Sequence, residues 1–117
     1  MKYVCLVYLV EKEMNALSKR EADACIEESR SYDEALRRSG HLIAAQALQP
    51  VETATTIRVR NGKLSTTDGP FAETTEQLGG FILIEARDLN DAIQVAAKIP
   101  MGRRGTIEVR PIKELER

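Results

Sequence analysis

The chain is poor in the residues that build most metal and redox sites. Its 117 residues include one histidine, two cysteines and no tryptophan. A structural zinc site needs four cysteine, histidine or carboxylate ligands, usually at recognisable spacings, and no Cys-x-x-Cys pair is present. Cys5 and Cys25 lie in separate apolar patterns, and we interpret both as buried thiols rather than as a disulfide. We therefore expect no metal and no cofactor.

Long apolar runs and an excess of one charge are also lacking. The apolar stretch from Tyr3 to Val10 runs directly into charged residues and is too short to cross a bilayer. No signal-peptide cleavage site or lipidation motif is visible, so we expect a cytoplasmic protein without a membrane partner. The formal net charge is −1 at pH 7, which argues against direct nucleic-acid binding because phosphate backbones attract basic surfaces.

What remains is ordinary globular composition, with 43% hydrophobic and 30% charged residues. The length fits a single domain over residues 1–117, and no repeat or linker divides it. Apolar periodicity predicts strands and helices in the order β-α-β-hairpin-β-α-β. The predicted strands cover residues 2–10, 42–48, 55–60, 63–67, 79–86 and 105–110, the helices cover 18–39 and 88–99, and residues 68–77 form a loop with one helical turn.

Local signals fix several of these boundaries. Ser18 and Glu21 have the spacing of a capping box, in which each side chain satisfies a free backbone amide. Gly40 provides the usual helix stop. Asn61-Gly62 favours a two-residue hairpin turn, because that turn needs positive φ at both positions. Asp88 caps the second helix, whose predicted apolar stripe is Leu89, Ala92, Ile93, Ala96 and Ala97.

This order predicts an α+β, ferredoxin-like βαββαβ fold with an inserted β-hairpin. The strands at residues 3–9 and 81–84 are apolar on both faces, whereas a two-layer domain covers only one face of its sheet. We expect a second copy to pack on the other face, which makes a homodimer joined sheet to sheet. Alternatively, residues 42–67 or the C-terminal tail fold over that face.

The turn at Asp68-Gly69-Pro70 precedes Phe71 and offers one candidate catalytic group. An Asp-Gly-Pro sequence is typical of a rigid turn, and that structural role is one interpretation. The other is that the turn holds the Asp68 carboxylate against Phe71 in a ligand pocket, where it acts as a general base. His41 is the second catalytic candidate, either paired with Asp68 or simply capping the preceding helix.

Further charged residues are candidates for ligand binding. Glu76 lies in the loop after Phe71, and Glu108 and Arg110 share the polar side of the last strand. Glu76 either lines the pocket or is solvated. Glu108 and Arg110 either bond to each other across the dimer, line the pocket or form a surface ion pair. Arg58, Arg60 and Lys63 lie on one face of the hairpin, and we interpret them as solvated charge on an edge rather than as an anion site.

Residues 67–80, with the sequence Thr-Asp-Gly-Pro-Phe-Ala-Glu-Thr-Thr-Glu-Gln-Leu-Gly-Gly, resemble the DGPF branch of the YCII-related family. The likeness continues through residues 92–100 and 107–112 and includes the opening strand and Gly40. It therefore covers nearly the whole chain. The resemblance implies a ferredoxin-like fold that pairs sheet to sheet as a dimeric α/β barrel.

The resemblance leaves three functions open. Some relatives look like lyases or dehalogenating enzymes that act on ring compounds with a His–Asp pair, which implies a cofactor-free enzyme that moves protons on a small organic compound through Asp68. Genes of the DGPF branch are often associated with extracytoplasmic-function sigma factors, which implies a metabolite-binding or regulatory module, or a protein-interaction partner of a transcription factor. The chain departs from the family at His41, which is not where the family's histidine lies. It departs again at Thr75, where the branch commonly has lysine.

Overall fold

The computed structural model describes residues 1–115, and its elements follow the predicted order. The helices are α1 (Glu11–Asn15), α2 (Lys19–Ser39) and α3 (Leu89–Ala97), and the strands are β1 (Lys2–Leu9), β2 (Leu42–Ala47), β3 (Thr55–Arg60), β4 (Lys63–Asp68), β5 (Gln77–Glu85) and β6 (Thr106–Pro111). The short helix α1 was not predicted. Residues 69–76 contain no helical turn, so that part of the prediction is wrong.

Four strands form an antiparallel sheet in the order β2-β5-β1-β6, and β3 and β4 form a separate hairpin. This is the strand order of a ferredoxin-like fold, and the predicted fold class is confirmed. Both α2 and α3 pack on the same face of the sheet. The core between them contains Tyr3, Cys5, Val7, Leu36, Ile82, Ile84, Ala92, Val95 and Ala96. Among the described residues, no helix is both long and apolar enough to span a membrane.

The predicted ends of α2 are confirmed. The Ser18 hydroxyl accepts a hydrogen bond from the Glu21 amide at 3.1 Å, and the Glu21 carboxylate accepts one from the Ser18 amide at 3.1 Å. Gly40 has φ of 82°, a left-handed conformation that a side chain would strain, and it ends the helix there.

The buried face of α3 differs from the predicted stripe. Leu89 is 51% and Ile93 46% exposed, and Ala97 is exposed as well, whereas Val95 is only 6% exposed. The reason lies at Asp91, one turn before Val95, which is nearly buried and hydrogen-bonded to His41 and to the Arg87 amide. These polar bonds hold the Asp91 side of the helix toward the sheet, and Val95 follows it into the core.

The opposite face of the sheet, here called the open face, is not covered by α2 or α3. Strand register places its residues in cross-strand rows, with Leu83 beside Val4 and Phe81 beside Leu6. These side chains are half-buried, largely by one another. Leu115, in the described part of the tail, is 75% exposed and does not cover the face.

The hairpin of β3 and β4 extends away from the rest of the fold and packs chiefly on itself. Its turn has φ of 52° at Asn61 and 75° at Gly62, as predicted. One hairpin face is apolar, and its Leu64 is 68% exposed. The chain consequently has a radius of gyration of 16.3 Å, against about 13 Å for a compact domain of this length, and a thickness of only 19 Å.

Candidate functional site

Polar residues line the β6 edge of the open face. Arg110 donates a hydrogen bond to the Glu108 carboxylate at 2.5 Å, and the two side chains form an ion pair that solvent still reaches. The bond from Arg110 lowers the pKa of Glu108, and a hydrogen bond from the Tyr8 side chain adds to this effect. Glu108 is therefore an anion held between a cation and a phenol.

Glu76 joins the same edge from the loop before β5. The Thr106 hydroxyl donates to the Glu76 carboxylate at 2.9 Å. Since Thr106, Glu108 and Arg110 alternate along β6, their side chains point to the same face. We call this group of five residues the polar edge: Tyr8, Glu76, Thr106, Glu108 and Arg110. The structure thus brings together three of the predicted ligand-binding residues.

Asp68 ends β4 opposite Thr55, where its side chain is exposed. The turn after it is held by the Gly69 amide, which donates to the Ala54 carbonyl at 2.7 Å, and by the Thr56 hydroxyl, which donates to the Gly69 carbonyl at 2.8 Å. Neither of these hydrogen bonds involves the Asp68 carboxylate, so the turn is held in place by other groups. The carboxylate faces solvent as a potential acid or base.

Phe71 follows this turn and is 80% exposed, whereas the other phenylalanine, Phe81, is half-buried. The Phe71 ring is therefore in contact mainly with solvent. In the single chain it does not shield the Asp68 carboxylate within a closed pocket. The predicted pocket around the turn is therefore not enclosed by one chain alone.

His41 lies at the other end of the sheet, where β2 begins. Its Nδ1 is 2.7 Å from the Ser39 hydroxyl, and its Nε2 is 3.2 Å from the Asp91 carboxylate. The amide of Arg87 bonds to the same carboxylate at 3.0 Å, and this bond is the largest reason that the pKa of Asp91 falls to about 2. Ser39, His41 and Asp91 form one hydrogen-bonded chain.

This chain of side chains borders a cleft of about 490 Å³. The cleft is lined by Met1, Ser39, Gly40, His41, Glu85, Ala86, Arg87 and Asp91. Asp68 is not among these residues, so a single chain does not bring the two predicted catalytic residues together. His41 contacts Asp91 instead, and its backbone amide donates to the Leu36 carbonyl at 3.0 Å at the end of α2.

Sequence reasoning missed Asp91. It stands three residues after Asp88, the helix cap, and its amide donates to the Asp88 carboxylate at 2.9 Å. An acidic residue at this position is typical of a helix start, so nothing in the sequence indicated separately that Asp91 also bonds to His41. Within residues 1–115, no cluster of histidine, cysteine and carboxylate side chains is arranged to hold a metal ion.

Comparison with known proteins agrees with the fold. The sequence model of the YCII-related domain matches residues 1–116. A protein of Rhizobium meliloti (strain 1021), described as uncharacterized, is 34% identical over 114 residues, which cover 96% of this chain and 92% of that protein. The match therefore extends over the sheet, both long helices, the hairpin and the polar edge.

Proposed function

The chain belongs to the YCII-related family, and we propose that it works as a homodimer that holds a small organic ligand between two opposed sheets. The observation that carries this proposal is the open face, which is apolar at its centre and charged along the polar edge. Pockets for small molecules combine these two features: apolar walls for contact area and a few polar groups for orientation.

A second copy is the partner that best fits the open face. Two-fold homodimers are the commonest oligomers, and a self-complementary apolar sheet face is suited to one. The protruding hairpin supports this pairing, because an isolated two-stranded hairpin is marginally stable in water. Its exposed Leu64 would be covered by a neighbouring chain.

Within the polar edge, Arg110 offers a contact for a ligand that carries a carboxylate. The Arg110 guanidinium can bind a carboxylate through two parallel hydrogen bonds, and Glu108 holds it in place. An aromatic acid would also contact the apolar centre of the face through its ring. We therefore take a small organic acid with a ring as the ligand class.

In its catalytic form, this proposal gives Asp68 the role of a general base or acid on such a compound. Asp68 is solvent-exposed at the base of the hairpin, where a dimer would bring it beside the neighbouring subunit. His41 would have to come from the partner for the predicted pair to form. We also propose that the chain is a member of the DGPF branch. The basis is its Asp68-Gly69-Pro70-Phe71 sequence.

The alternative is a non-catalytic module that binds the same ligand class and regulates transcription through an extracytoplasmic-function sigma factor. The polar edge favours this binding role, since the ion pair of Arg110 and Glu108 contains no nucleophile. The two forms differ in a single respect: Asp68→Asn abolishes turnover in the enzyme and changes nothing in the regulator's ligand affinity.

Benzoate is a suitable probe for this site. We expect benzoate to raise the melting temperature of the wild-type dimer, because a ligand that binds the folded state stabilises it. Arg110→Gln should remove this increase. Arg30→Gln, at an exposed position on α2, is the matched control and should keep it. An unchanged benzoate response in Arg110→Gln would refute the site, and a monomer at every concentration in light scattering would refute the dimer.

A further inference from the structure

We propose a second ligand site in the cavity between α2 and the sheet, where a small apolar amine binds with its ammonium group on Asp33. The site lies on the helix-covered face, opposite the open face. It therefore does not depend on the dimer or on the polar edge.

The cavity has a volume of about 230 Å³ and is lined by residues of α2, β1, β2 and β5, together with Ile99 and Met101. Small residues from β2 and β5 leave space on the sheet, and apolar side chains form the walls. The lining residues are Val7, Leu9, Ser29, Asp33, Ala45, Gln46, Ala47, Gly79, Gly80, Phe81, Ile82, Ile99 and Met101. Among them Asp33 is the ionisable group.

Close strand packing explains why this space exists. A Cβ on Gly80 would lie 2.8 Å from the Gln46 carbonyl oxygen, so only glycine fits there. Val7 pairs with Gly80 and points its side chain toward the helices. Because Gly80 has no side chain, the sheet beside Val7 leaves a space beneath α2. Ala45 on β2 has only a methyl group and fills little of this space.

Asp33 is the carboxylate that α2 directs toward this space. Burial raises the pKa of Asp33, and the nearby Arg37 charge lowers it in part. The Arg37 guanidinium is itself paired with Glu34. The Asp33 carboxylate is thus partly desolvated, and no cationic side chain in the described part of the chain lines the cavity beside it. A bound cation would offset the cost of this desolvation.

The size and polarity of the cavity define the ligand. Its volume equals that of roughly eight water molecules in the liquid, which is the size of a phenyl ring with one carbon and one nitrogen. The walls favour a ring or a branched alkyl group, and Asp33 favours a primary ammonium group over a neutral hydroxyl. Ser29, one helical turn before Asp33, can accept a second hydrogen bond from the ammonium.

Methyl NMR titration of the full chain with benzylamine tests this site. We expect benzylamine to shift the methyl signals of Leu9, Ala45 and Met101 and to bind at least tenfold more tightly than benzyl alcohol. Asp33→Asn should remove that preference. Asp23→Asn is the matched control, because Asp23 lies on the same helix, is exposed and pairs with Lys19 at 2.8 Å.

Two further measurements make the result decisive. Ala45→Leu should fill the cavity and abolish the binding of both compounds while Asp33 stays in place. Benzylamine affinity should also fall as the pH drops through the raised pKa of Asp33, because a proton then neutralises the carboxylate. The proposal is overturned if wild-type methyl signals do not move, if benzyl alcohol binds equally tightly, or if Asp33→Asn keeps its preference for the amine.

Discussion

The imidazole of His41 and the carboxylate of Asp91 connect the two long helices of the fold at a distance of 3.2 Å. His41 follows the turn that ends α2, and Asp91 lies in the first turn of α3. The two residues are 50 positions apart in the sequence. The bond lies on the same side of α3 as the buried Val95, which is the side that faces the sheet.

Asp91 should make the fold sensitive to acid. Its pKa is lowered to about 2 by hydrogen bonds from Arg87 and His41, so the folded state binds its proton less readily than the unfolded state. The stability that this carboxylate supplies is complete above its unfolded pKa of about 3.9 and is lost as the pH falls toward the folded value. We expect Asp91→Asn to weaken the pH dependence of the urea-unfolding midpoint between these two pH values.

Asp23→Asn is the control for the pH dependence of the urea-unfolding midpoint in Asp91→Asn. Asp23→Asn removes an exposed carboxylate whose ion pair with Lys19 is solvated. Its midpoint should follow the wild-type curve through the same pH range. If Asp91→Asn also keeps the wild-type acid dependence, the hydrogen bonds to Asp91 do not contribute to stability.

Tyr32 should contribute a second link between the helices. Its hydroxyl donates to the Val95 carbonyl at 2.6 Å in a part-buried setting. Tyr32→Phe leaves that carbonyl without its partner, and we expect a loss of about 1 kcal/mol in unfolding free energy. Urea denaturation measures this loss. Tyr8→Phe, which alters a hydroxyl on the open face, should cost less in the isolated chain, and equal costs would contradict the helix link.

Gly80 should not tolerate a side chain. A Cβ there would meet the Gln46 carbonyl oxygen at 2.8 Å, and this contact is with backbone that cannot move without breaking the β2–β5 pairing. We expect Gly80→Ala to lower the unfolding free energy by about 2 kcal/mol. Gly102→Ala is the comparison, since its Cβ would meet the flexible Ile107 side chain at 3.3 Å. Similar costs at both positions would argue against the backbone clash.

Leu6 tests the proposed pairing of open faces. It lies at the centre of the face between Phe81 and Glu108. If the open faces pair as proposed, Leu6→Glu should give a folded monomer, because pairing would then bury a carboxylate without a partner. Light scattering measures the mass, and circular dichroism checks the fold. Ile26→Glu, on the exposed side of α2, should stay dimeric.

Most of the fold could be predicted from local signals. The capping box at Ser18 and the turn at Asn61-Gly62 depend on neighbouring residues, so their sequence spacing contains the necessary information. The face of α3 could not be predicted in the same way. Its apolar stripe pointed to Leu89, whereas the buried side was selected by the bond between Asp91 and His41, which are far apart in the chain.

The candidate site was predicted in part for the same reason. Glu108 and Arg110 share a face because side chains alternate along a strand. That Glu76 would meet Thr106 required the tertiary structure, because the loop before β5 returns to the end of β6. The cavity at Asp33 was also missed, because the space beside Asp33 depends on how α2 packs on β2 and β5.

The sequence by itself determined the six strands, the helices α2 and α3, their order and the two-sided apolar character of the central strands, because these follow from the periodicity and turn chemistry of nearby residues. Only the tertiary structure decided which distant side chains meet. It paired His41 with Asp91, gathered Glu76 onto the polar edge and left Asp33 beside an unfilled space. Such contacts depend on how strands and helices pack in three dimensions, and no local pattern of residues encodes that packing.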